Sequence, residues 1–577
     1  MITLKNINLS SIDLSGIDLR GIKLGLGGRG GGSGDGFPQL PGDVTRWHFG
    51  GLTNEMMAAM DDPRIEDADH KGRFLSFKNF AWKGMSGVNG YVQNFNNFKN
   101  NATVDKVRID EQSSNSIKVT ILTTGISNAI YIPKNIYQFN KSYSIKISSE
   151  GYNEGDLSLS FYASSVSTAT TVKVPLNPNG ITEIPAIKED DFLAVYLNVG
   201  GKVGSITIEQ LPLYPGFILG DGVDDFAVTE KELNFEDTYT VYTAFIPFQN
   251  NPTRNMILCG ADSKKTFSMQ YSSLVYVSFI AGNNYYINAD FVNGLNLFAC
   301  KRNGNNICIK NLLTNKVVTG TCGDWVENAG LYYLWKNATY ASFARAGIAG
   351  QIIDNGHFTT DEEDENILDW HKKQYPWLFP GQAWTVTGKT NEDEDRTTIA
   401  NITGNGNNLV LSNFGFIEGS GYNKEGEYAG YLVTDGVDDM IGSSIFEIGK
   451  DFTIIGEWKF MDNIIANAGI SKALSLFVYN TNNGLRIFIN NTTKGPVLNT
   501  KTLKAICSDG RVYSDDWSEM IVNEEQPITS SKSSLLIGIN GNNFAKIALK
   551  NLAIYNQILS KDDCIKAYNY LQTLKAK

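Results

Sequence analysis

The pentapeptide Asp-Gly-Val-Asp-Asp occurs twice in the chain, at Asp221 to Asp225 and at Asp435 to Asp439. Each copy follows a short apolar run and precedes an alternating stretch, at 239–245 in the first copy and 452–458 in the second. Alternation with a period of two is typical of a strand that has one buried face. Because internal repetition fixes the domain plan before any local assignment, the sequence predicts a duplicated β-domain.

A second repeated pattern lies upstream of each pentapeptide. It comprises a tryptophan, a Thr-Asn-Glu triplet, an aromatic stretch and a Ser-Gly pair, at Trp47, 53–55, 76–82 and 86–87 in the first copy and at Trp384, 390–392, 411–416 and 420–421 in the second. Asn79 and Asn413 are offset by the same number of residues as Ser86 and Ser420. The two copies therefore align without a gap across this region.

Each unit also ends with the pattern of a capped helix. Thr360 with Glu363, and Ser560 with Asp563, have the spacing at which a hydroxyl and a carboxylate satisfy the free amides of a first helical turn. An amphipathic stretch follows each pair. We expect one short helix at the end of each unit.

These motifs together resemble a known fold family. The Asp-Gly-Val-Asp-Asp turn, the strand that begins Asp-Phe-Thr-Ile at 451–454 and the strand at 553–559 that leads into a capped helix are similar to concanavalin A-like (laminin-G-like) lectin/glucanase jelly rolls. With the Thr-Asn-Glu and Asn-Phe-Ala-Trp patterns, the chain resembles fibre and decoration proteins of crAss-like phages of Bacteroidales. The resemblance covers about two thirds of the chain and implies first a fold, since one fold hosts many functions.

The N-terminal stretch has a period of five residues, which is neither that of a helix nor that of a simple strand. Its apolar residues are Ile2, Leu4, Ile7, Leu9, Ile12, Leu14, Ile17, Leu19, Ile22 and Leu24. The pattern resembles pentapeptide repeats, and five coils would form only a small solenoid. We favour an anchor that docks on other virion proteins or on copies of itself, with a homotrimer favoured over a dimer. The Gly-rich segment that follows is typical of a flexible tether.

The first unit contains a stretch that the second lacks, with short alternating strands separated by Gly and Asn turns. It is typical of a β-sandwich of the carbohydrate-binding-module type, inserted at an exposed loop. The predicted domains are an anchor (1–25), a tether (26–43), a first jelly roll (44–92 with 211–378), an inserted β-sandwich (93–210) and a second jelly roll (379–577). The predicted fold class is all-β.

Composition and charge argue against several classes of function. The net charge of −11 and the pI near 5.1 argue against sequence-independent nucleic-acid binding, and no apolar run is long enough to span a bilayer. We expect no secretory signal at the N-terminus. The six cysteines form no Cys-x-x-Cys pair, so we expect free thiols and assembly in a reducing cytoplasm.

The sequence lacks the motifs of several hydrolase classes. The four histidines lie outside metalloprotease and serine-hydrolase motifs, and no Glu-x-Asp-x-x-Glu strand supplies the carboxylate pair of a laminarinase-like hydrolase. We therefore expect a non-enzyme and no cofactor, apart from calcium as a candidate. Asp221, Asp224 and Asp225 form one candidate calcium site, and Asp435, Asp438 and Asp439 form the other. The alternative is a structural turn, which duplication favours.

The resemblance implies a phage virion structural protein, as a head or tail fibre or a capsid decoration on the virion surface, and the acidic charge and missing catalytic motifs agree with this expectation. Its expected partners are itself, other virion proteins through the N-terminus, and host-surface glycans. The alternatives are a glycan depolymerase on the same scaffold and a secreted bacterial carbohydrate-binding adhesin. Which loops would bind a glycan cannot be selected from the sequence, because most of its aromatic residues are of the kind that fill β-sandwich cores.

Overall fold

The structure is a computed structural model. It describes residues 36–163, 172–189, 192–248, 255–260, 267–272, 274–281, 283–292, 294–325, 328–336, 343–404, 406–461, 469–472, 476–481, 484–489, 502–521, 531–537, 539–540 and 543–576. The predicted anchor residues at 2–24, and with them the oligomerisation prediction, lie outside these residues.

Up to residue 210 the strands are β1 Asp43–His48, β2 Arg64–Glu66, β3 Phe74–Lys78, β4 Gly87–Val88, β5 Lys99–Asn100, β6 Val107–Gln112, β7 Ser116–Ile121, β8 Asn128–Pro133, β9 Tyr143–Glu150, β10 Leu157–Ala163, β11 Val172–Leu176, β12 Ile181–Ile184, β13 Phe192–Asn198 and β14 Gly204–Gln210. A short helix, α1, spans Asn54–Ala58, and a 3-10 turn spans Phe95–Asn97.

From there to the first closing helix the strands are β15 Ile218–Asp221, β16 Phe226–Thr229, β17 Leu233–Phe235, β18 Thr238–Pro247, β19 Asn255–Gly260, β20 Phe267–Tyr271, β21 Val275–Ala281, β22 Asn283–Ala289, β23 Asn296–Asn303, β24 Asn306–Asn311, β25 Lys316–Thr321, β26 Asn328–Gly330, β27 Tyr332–Leu334 and β28 Arg345–Asn355. Helix α2 spans Asp361–Gln374, and a 3-10 turn follows at Pro376–Leu378.

The remaining strands are β29 Gln382–Thr385, β30 Thr398–Ile399, β31 Leu409–Ser412, β32 Gly421–Tyr422, β33 Leu432–Val433, β34 Met440–Ser443, β35 Phe446–Ile448, β36 Thr453–Phe460, β37 Gly469–Lys472, β38 Leu476–Thr481, β39 Gly484–Ile489, β40 Thr502–Cys507, β41 Arg511–Ser514, β42 Glu519–Ile521, β43 Ser531–Ser533, β44 Leu535–Ile537, β45 Ile539–Asn540, β46 Asn543–Phe544 and β47 Ile547–Tyr555. Helix α3 spans Lys561–Gln572.

The strands form three pairs of larger antiparallel sheets. One pair has the strand orders β25-β24-β23-β18-β28-β15-β4, with β1 on β28, and β2-β3-β16-β27-β19-β20-β21-β22. The next has the orders β11-β10-β13-β8-β5 and β12-β9-β14-β7-β6. The last has the orders β32-β33-β47-β36-β40-β41-β42, with β29 on β47, and β30-β31-β34-β44-β37-β38-β39. The prediction of an all-β chain of sandwiches is confirmed.

The duplication extends to an irregularity in strand pairing. In the first unit, β18 shifts its register against β28 between Ala244 and Phe245. In the second, β36 shifts against β47 between Glu457 and Trp458, which are the aligned positions. A β-bulge bends its strand and increases the local twist. The two units are therefore built with the same kink in their central strand.

Both predicted closing helices form. Thr360 caps α2 with a full capping box, because Glu363 accepts from the Thr360 amide while Thr360 accepts from the Glu363 amide. Ser560 caps α3 by accepting from the Asp563 amide at 3.1 Å. Among the described helices only α2 has the reciprocal bond of the box, because the shorter Asp563 side chain accepts from the Ser560 hydroxyl instead.

A buried ionic cluster fixes the first closing helix to its sheet. Asp364, in the first turn of α2, lies 2.6 Å from the Lys301 ammonium and 3.1 Å from that of Lys310. It also accepts hydrogen bonds from the hydroxyls of Tyr242 at 2.9 Å and Thr359 at 3.1 Å. Asp364 and Lys301 are almost completely shielded from solvent. Such a cluster locks the orientation of α2, because each charged group depends on the other for its compensation.

The closing helices α2 and α3 form a second core with the segment 375–384, which joins the two jelly rolls and is called the junction. The Tyr570 hydroxyl of α3 accepts from the Leu295 amide of the first unit at 2.8 Å. The Tyr555 hydroxyl donates to the Trp377 carbonyl of the junction at 2.8 Å, and the Lys566 ammonium lies 4.2 Å from the Trp377 ring centre. The apolar cluster around them includes residues of both jelly rolls. Residues of the two jelly rolls therefore pack directly against each other here.

Composition predicts free thiols and no membrane-spanning segment. Cys300, Cys308, Cys322, Cys507 and Cys564 are free thiols. Among the helices that the structure describes, none is both long and apolar enough to cross a membrane.

Candidate functional site

The two Asp-Gly-Val-Asp-Asp segments have matching hydrogen-bond patterns. Asp221 Oδ1 accepts from the Val223 amide at 2.8 Å, and Asp225 Oδ2 accepts from the Asp221 amide at 2.9 Å. In the second copy the same bonds measure 2.8 Å and 2.7 Å. The glycines have φ of +79° and +78°, a conformation that a side chain would strain. Both segments are closed turns between strands.

The upstream motif supports each turn from the side. Asn79 donates its side-chain amide to the Asp224 carbonyl at 3.1 Å, and Asn413 donates to the Asp438 carbonyl at 2.9 Å. Asn79 and Asn413 have φ of +67° and +68°. The two repeated patterns therefore form one interlocked structure in each unit, which explains why they recur together.

The carboxylates of each triplet lie close together, with one oxygen of each within 4.8 Å of the others. Asp225 and Asp439 are each 1% exposed, and Oδ1 of each has no hydrogen-bond partner among the described residues. Calcium takes six to eight oxygen ligands, but the oxygens that accept backbone amides here already serve the turn. We therefore retain the structural turn as the favoured interpretation of both candidate calcium sites.

The pH dependence of the stability of Asp225→Asn tests this interpretation. Burial raises the pKa of Asp225 to about 7, well above the value of about 3.9 for an unfolded chain. The folded state therefore binds the extra proton between these values, and the wild-type protein loses stability as the pH rises toward 7. Asparagine stays neutral at every pH. The free energy of unfolding of Asp225→Asn, measured relative to that of the wild type, should therefore increase by about 2–4 kcal/mol between pH 4 and pH 8.

Thermal unfolding over this pH range, in EGTA and in calcium chloride, measures the effect. Asp224→Asn is the matched control, because it removes an exposed carboxylate from the same turn. A calcium site would give the opposite result: calcium would raise the melting temperature of the wild-type protein, and Asp225→Asn would abolish that increase.

A large cleft opens between the inserted sandwich and the second jelly roll. Its volume is about 1300 Å³, above the range of about 300–1,000 Å³ that is usual for small-molecule pockets. Loops around 152–155 and 175–186 line one side, and the loop 426–431 with strands β36, β40 and β47 lines the other. A ligand in this cleft would contact two domains that lie far apart in sequence.

Tyrosine, lysine and glutamate side chains form the floor of the cleft. The Tyr568 hydroxyl donates to Glu183 at 2.8 Å, and the Lys504 ammonium lies 3.5 Å from the same carboxylate and 4.6 Å from the centre of the Tyr568 ring. Lys504 and Tyr568 belong to the second jelly roll and Glu183 to the insert. This contact therefore holds the two sides of the cleft together.

A second group of side chains lies around Glu457. Its carboxylate lies 3.2 Å from the Lys550 ammonium and accepts a hydrogen bond from the Tyr431 hydroxyl. Burial alone would raise the pKa of Glu457, but the Lys550 charge and the Tyr431 hydroxyl outweigh it and hold the pKa below the usual value. Lys459 lies 5.3 Å from the centre of the Tyr431 ring. Glu457 therefore stays ionised and fixed in position.

Tyr428 is the half-buried aromatic residue at the edge of this group. Its ring packs edge-on against Tyr431, with ring centres 6.1 Å apart, and part of its surface remains accessible. Tyrosine rings at the edge of a polar cleft are suited to the apolar face of a sugar, while side-chain amides and carboxylates accept and donate to its hydroxyls. The cleft is the candidate functional site.

Sequence reasoning did not identify this site. Large aromatic residues are the usual sequence signal of a sugar site, but the structure buries Tyr332, Trp335 and Trp517. Of these, Trp517 packs beneath the cleft, 5.6 Å from Tyr568. The residues of the cleft come from segments that are distant along the chain, with Tyr428 in a loop, Lys504 on β40 and Tyr568 on α3, and no short sequence motif joins them.

Comparison of the chain with models of known protein families and with curated protein sequences gives no match. Among solved structures the chain is similar to a botulinum neurotoxin serotype D ligand-binding domain in complex with N-acetylneuraminic acid, with 8% identity, a TM-score of 0.27, and coverage of 60% of this chain and 88% of that one. It is also similar to the binding domain of botulinum neurotoxin DC in complex with SialylT, with 10% identity, a TM-score of 0.25, and coverage of 56% and 87%. These values are too low to carry an inference about this chain.

Proposed function

We propose that this chain is a glycan-binding protein and that a glycan binds in the cleft between the inserted sandwich and the second jelly roll. The observation that carries the proposal is the cleft itself, in which an accessible tyrosine ring lies beside fixed carboxylate and ammonium groups. The apolar face of a sugar packs on an aromatic ring, and its hydroxyls need several convergent polar groups.

The charge of the cleft favours a neutral glycan. The described residues that line it include six carboxylates and three lysines: Glu154, Glu183, Glu427, Glu457, Asp515 and Asp516 against Lys459, Lys504 and Lys550. Two of the lysines are already paired with Glu183 and Glu457. A polyanion would therefore meet net repulsion at this site.

We propose binding without hydrolysis. A retaining or inverting glycosidase needs one carboxylic acid that is protonated at working pH, in addition to an ionised partner. The lowered pKa of Glu457 makes it a poor proton donor, and its carboxylate is committed to Lys550 and Tyr431. These contacts favour a structural and ligand-orienting role for Glu457.

We further propose that the protein is a phage virion component, either a head or tail fibre or a capsid decoration. This proposal rests on the resemblance of the Thr-Asn-Glu, Asn-Phe-Ala-Trp and Asp-Gly-Val-Asp-Asp patterns to proteins of crAss-like phages. In that setting residues 1–25 would attach the protein to the particle, as a homo-oligomer, and the sandwiches would contact host-surface glycans.

Mixing the full-length protein with purified neutral and anionic bacterial polysaccharides tests the proposed activity. Bound protein and newly formed reducing ends are measured in the same samples. We expect binding of a neutral polysaccharide with no increase in reducing ends. Release of reducing ends would show a depolymerase, and failure to bind any neutral polysaccharide would contradict the assignment of the cleft.

A further inference from the structure

The outer face of one sheet of the inserted sandwich carries a continuous cross-strand row. The strand order of this sheet is β11-β10-β13-β8-β5, and its pairing places five residues side by side: Lys173, Ser160, Tyr196, Tyr131 and Lys99. The alternate residues of the same strands, such as Leu159, Val195 and Ile130, point into the core. The row therefore belongs to the face opposite the core.

Two tyrosines form the centre of the row, and a third lies beside it. Tyr196 and Tyr131 are directly paired, with ring centres 5.3 Å apart. Tyr162, two residues beyond Ser160 on β10, has its ring 5.2 Å from that of Tyr196. All three are half-buried, whereas the core tyrosines Tyr137 and Tyr143 of the same sandwich are shielded. The three rings form an accessible aromatic surface, which we call the tyrosine row.

Between the two edge lysines, the polar residues on this face are serines and asparagines. Ser158 on β10 is half-buried, and its hydroxyl lies 3.4 Å from that of the buried Ser160, so Ser158 is the serine of this strand that a ligand can reach. Asn198 on β13 donates to the Asn128 side chain on β8 at 3.2 Å. Hydroxyl and amide groups beside aromatic rings are the usual partners of sugar hydroxyls. Small side chains beside the rings leave room for a ligand to lie flat on the sheet.

The two ends of the row are positively charged. Lys173 and Lys99 are exposed on the two edge strands, and the outward positions of the described residues of these five strands include no carboxylate. The whole chain, in contrast, carries a net charge of −11. An anionic ligand is repelled by most of the protein and attracted to this face.

We propose that the tyrosine row binds an anionic glycan, one whose sugar rings carry carboxylate or sulfate groups. The sugar rings lie across the strands on Tyr131, Tyr196 and Tyr162, and the acidic groups lie near Lys99 and Lys173. Four strand spacings of about 4.8 Å separate Lys173 from Lys99, a distance of about 19 Å, which suits a short stretch of several sugars. This surface is separate from the cleft, and its ligand has the opposite charge preference.

Binding of full-length protein to sodium alginate, a polyuronate, tests the proposal, with dextran as the neutral comparison. We expect alginate to bind at low salt and to lose affinity as sodium chloride is raised, because exposed charges are screened. Tyr196→Ala should lower the alginate affinity about tenfold through the lost ring contact. The double variant Lys99→Gln with Lys173→Gln should lower the affinity and flatten its salt dependence.

Two controls separate this surface from the others. Lys146→Gln removes an exposed lysine from the other sheet of the same sandwich and should leave alginate binding unchanged. Tyr428→Ala alters the cleft and should do the same. The edge lysines are exposed, so the lysine variant keeps the fold even if Tyr196→Ala weakens it.

Three results would overturn the proposal: no binding of alginate at low salt, binding that neither variant weakens, or equal binding of dextran and alginate with no salt dependence. The outcome is independent of the cleft. If neutral glycans fail to bind while alginate binding depends on Tyr196, the cleft assignment fails and the tyrosine row stands.

Discussion

Replacement of Asp364 by alanine is expected to lower the free energy of unfolding of the first jelly roll by about 3–5 kcal/mol. The Asp364 side chain is 1% exposed and that of Lys301 is 4% exposed. Without the carboxylate, the Lys301 ammonium stays buried and keeps its hydrogen bond to the Thr359 carbonyl, which carries no compensating charge. A buried charge that has lost its counter-charge is much more costly than a lost surface contact.

Asp361→Ala is the matched control for this experiment. Asp361 lies in the same helical turn and is 2.6 Å from Lys310, but its side chain is 88% exposed. Water screens a pair whose carboxylate is exposed, and Lys310 keeps Asp364 as a partner at 3.1 Å, so this variant should lose only about 0–1 kcal/mol. Calorimetric unfolding of the full chain measures both variants. Equal losses for Asp361→Ala and Asp364→Ala would show that burial does not determine the effect.

Local motifs were predictable from the sequence because their hydrogen bonds are local. The Asp221 and Asp435 turns close on residues two to four positions away, so residue type and spacing specify them. The same holds for the capped starts of α2 and α3. The alternating strands of the insert were also predictable, since one face of each strand must enter the core.

The cleft was not predictable, because it depends on how separate domains pack. Glu183 meets Tyr568 across 385 residues of sequence, and neither residue carries a motif. The tyrosine row was only partly predictable from the sequence. Alternation indicates that Tyr196 points outward, but its pairing with Tyr131 depends on the strand order of the sheet. Strand order follows from the whole topology and not from any single segment.

Replacement of Tyr428 by alanine is expected to lower the affinity for a neutral glycan about tenfold or more. Tyr428 supplies the half-buried ring at the edge of the cleft. It packs on Tyr431, which Glu457 and Lys459 hold in place. Removal of a stacking ring costs about 1–3 kcal/mol in comparable aromatic platforms, and about 1.4 kcal/mol corresponds to a factor of ten.

Two variants control for the loss of the ring. Tyr428→Phe keeps the ring and removes the hydroxyl, so it should retain most of the affinity. Tyr196→Ala removes a half-buried tyrosine from the inserted sandwich outside the cleft and should leave neutral-glycan binding unchanged. Together they distinguish ring stacking in the cleft from a general effect of removing a surface aromatic residue.

The most direct measurement is a calorimetric titration of one neutral oligosaccharide, taken from a polysaccharide that binds, into the wild-type protein, Tyr428→Ala and Tyr428→Phe. A glycan site in the cleft predicts tight binding by the wild type, a loss of about tenfold or more for Tyr428→Ala, and near-normal binding for Tyr428→Phe. Equal affinities of the wild type and Tyr428→Ala would contradict it and place the glycan elsewhere on the molecule.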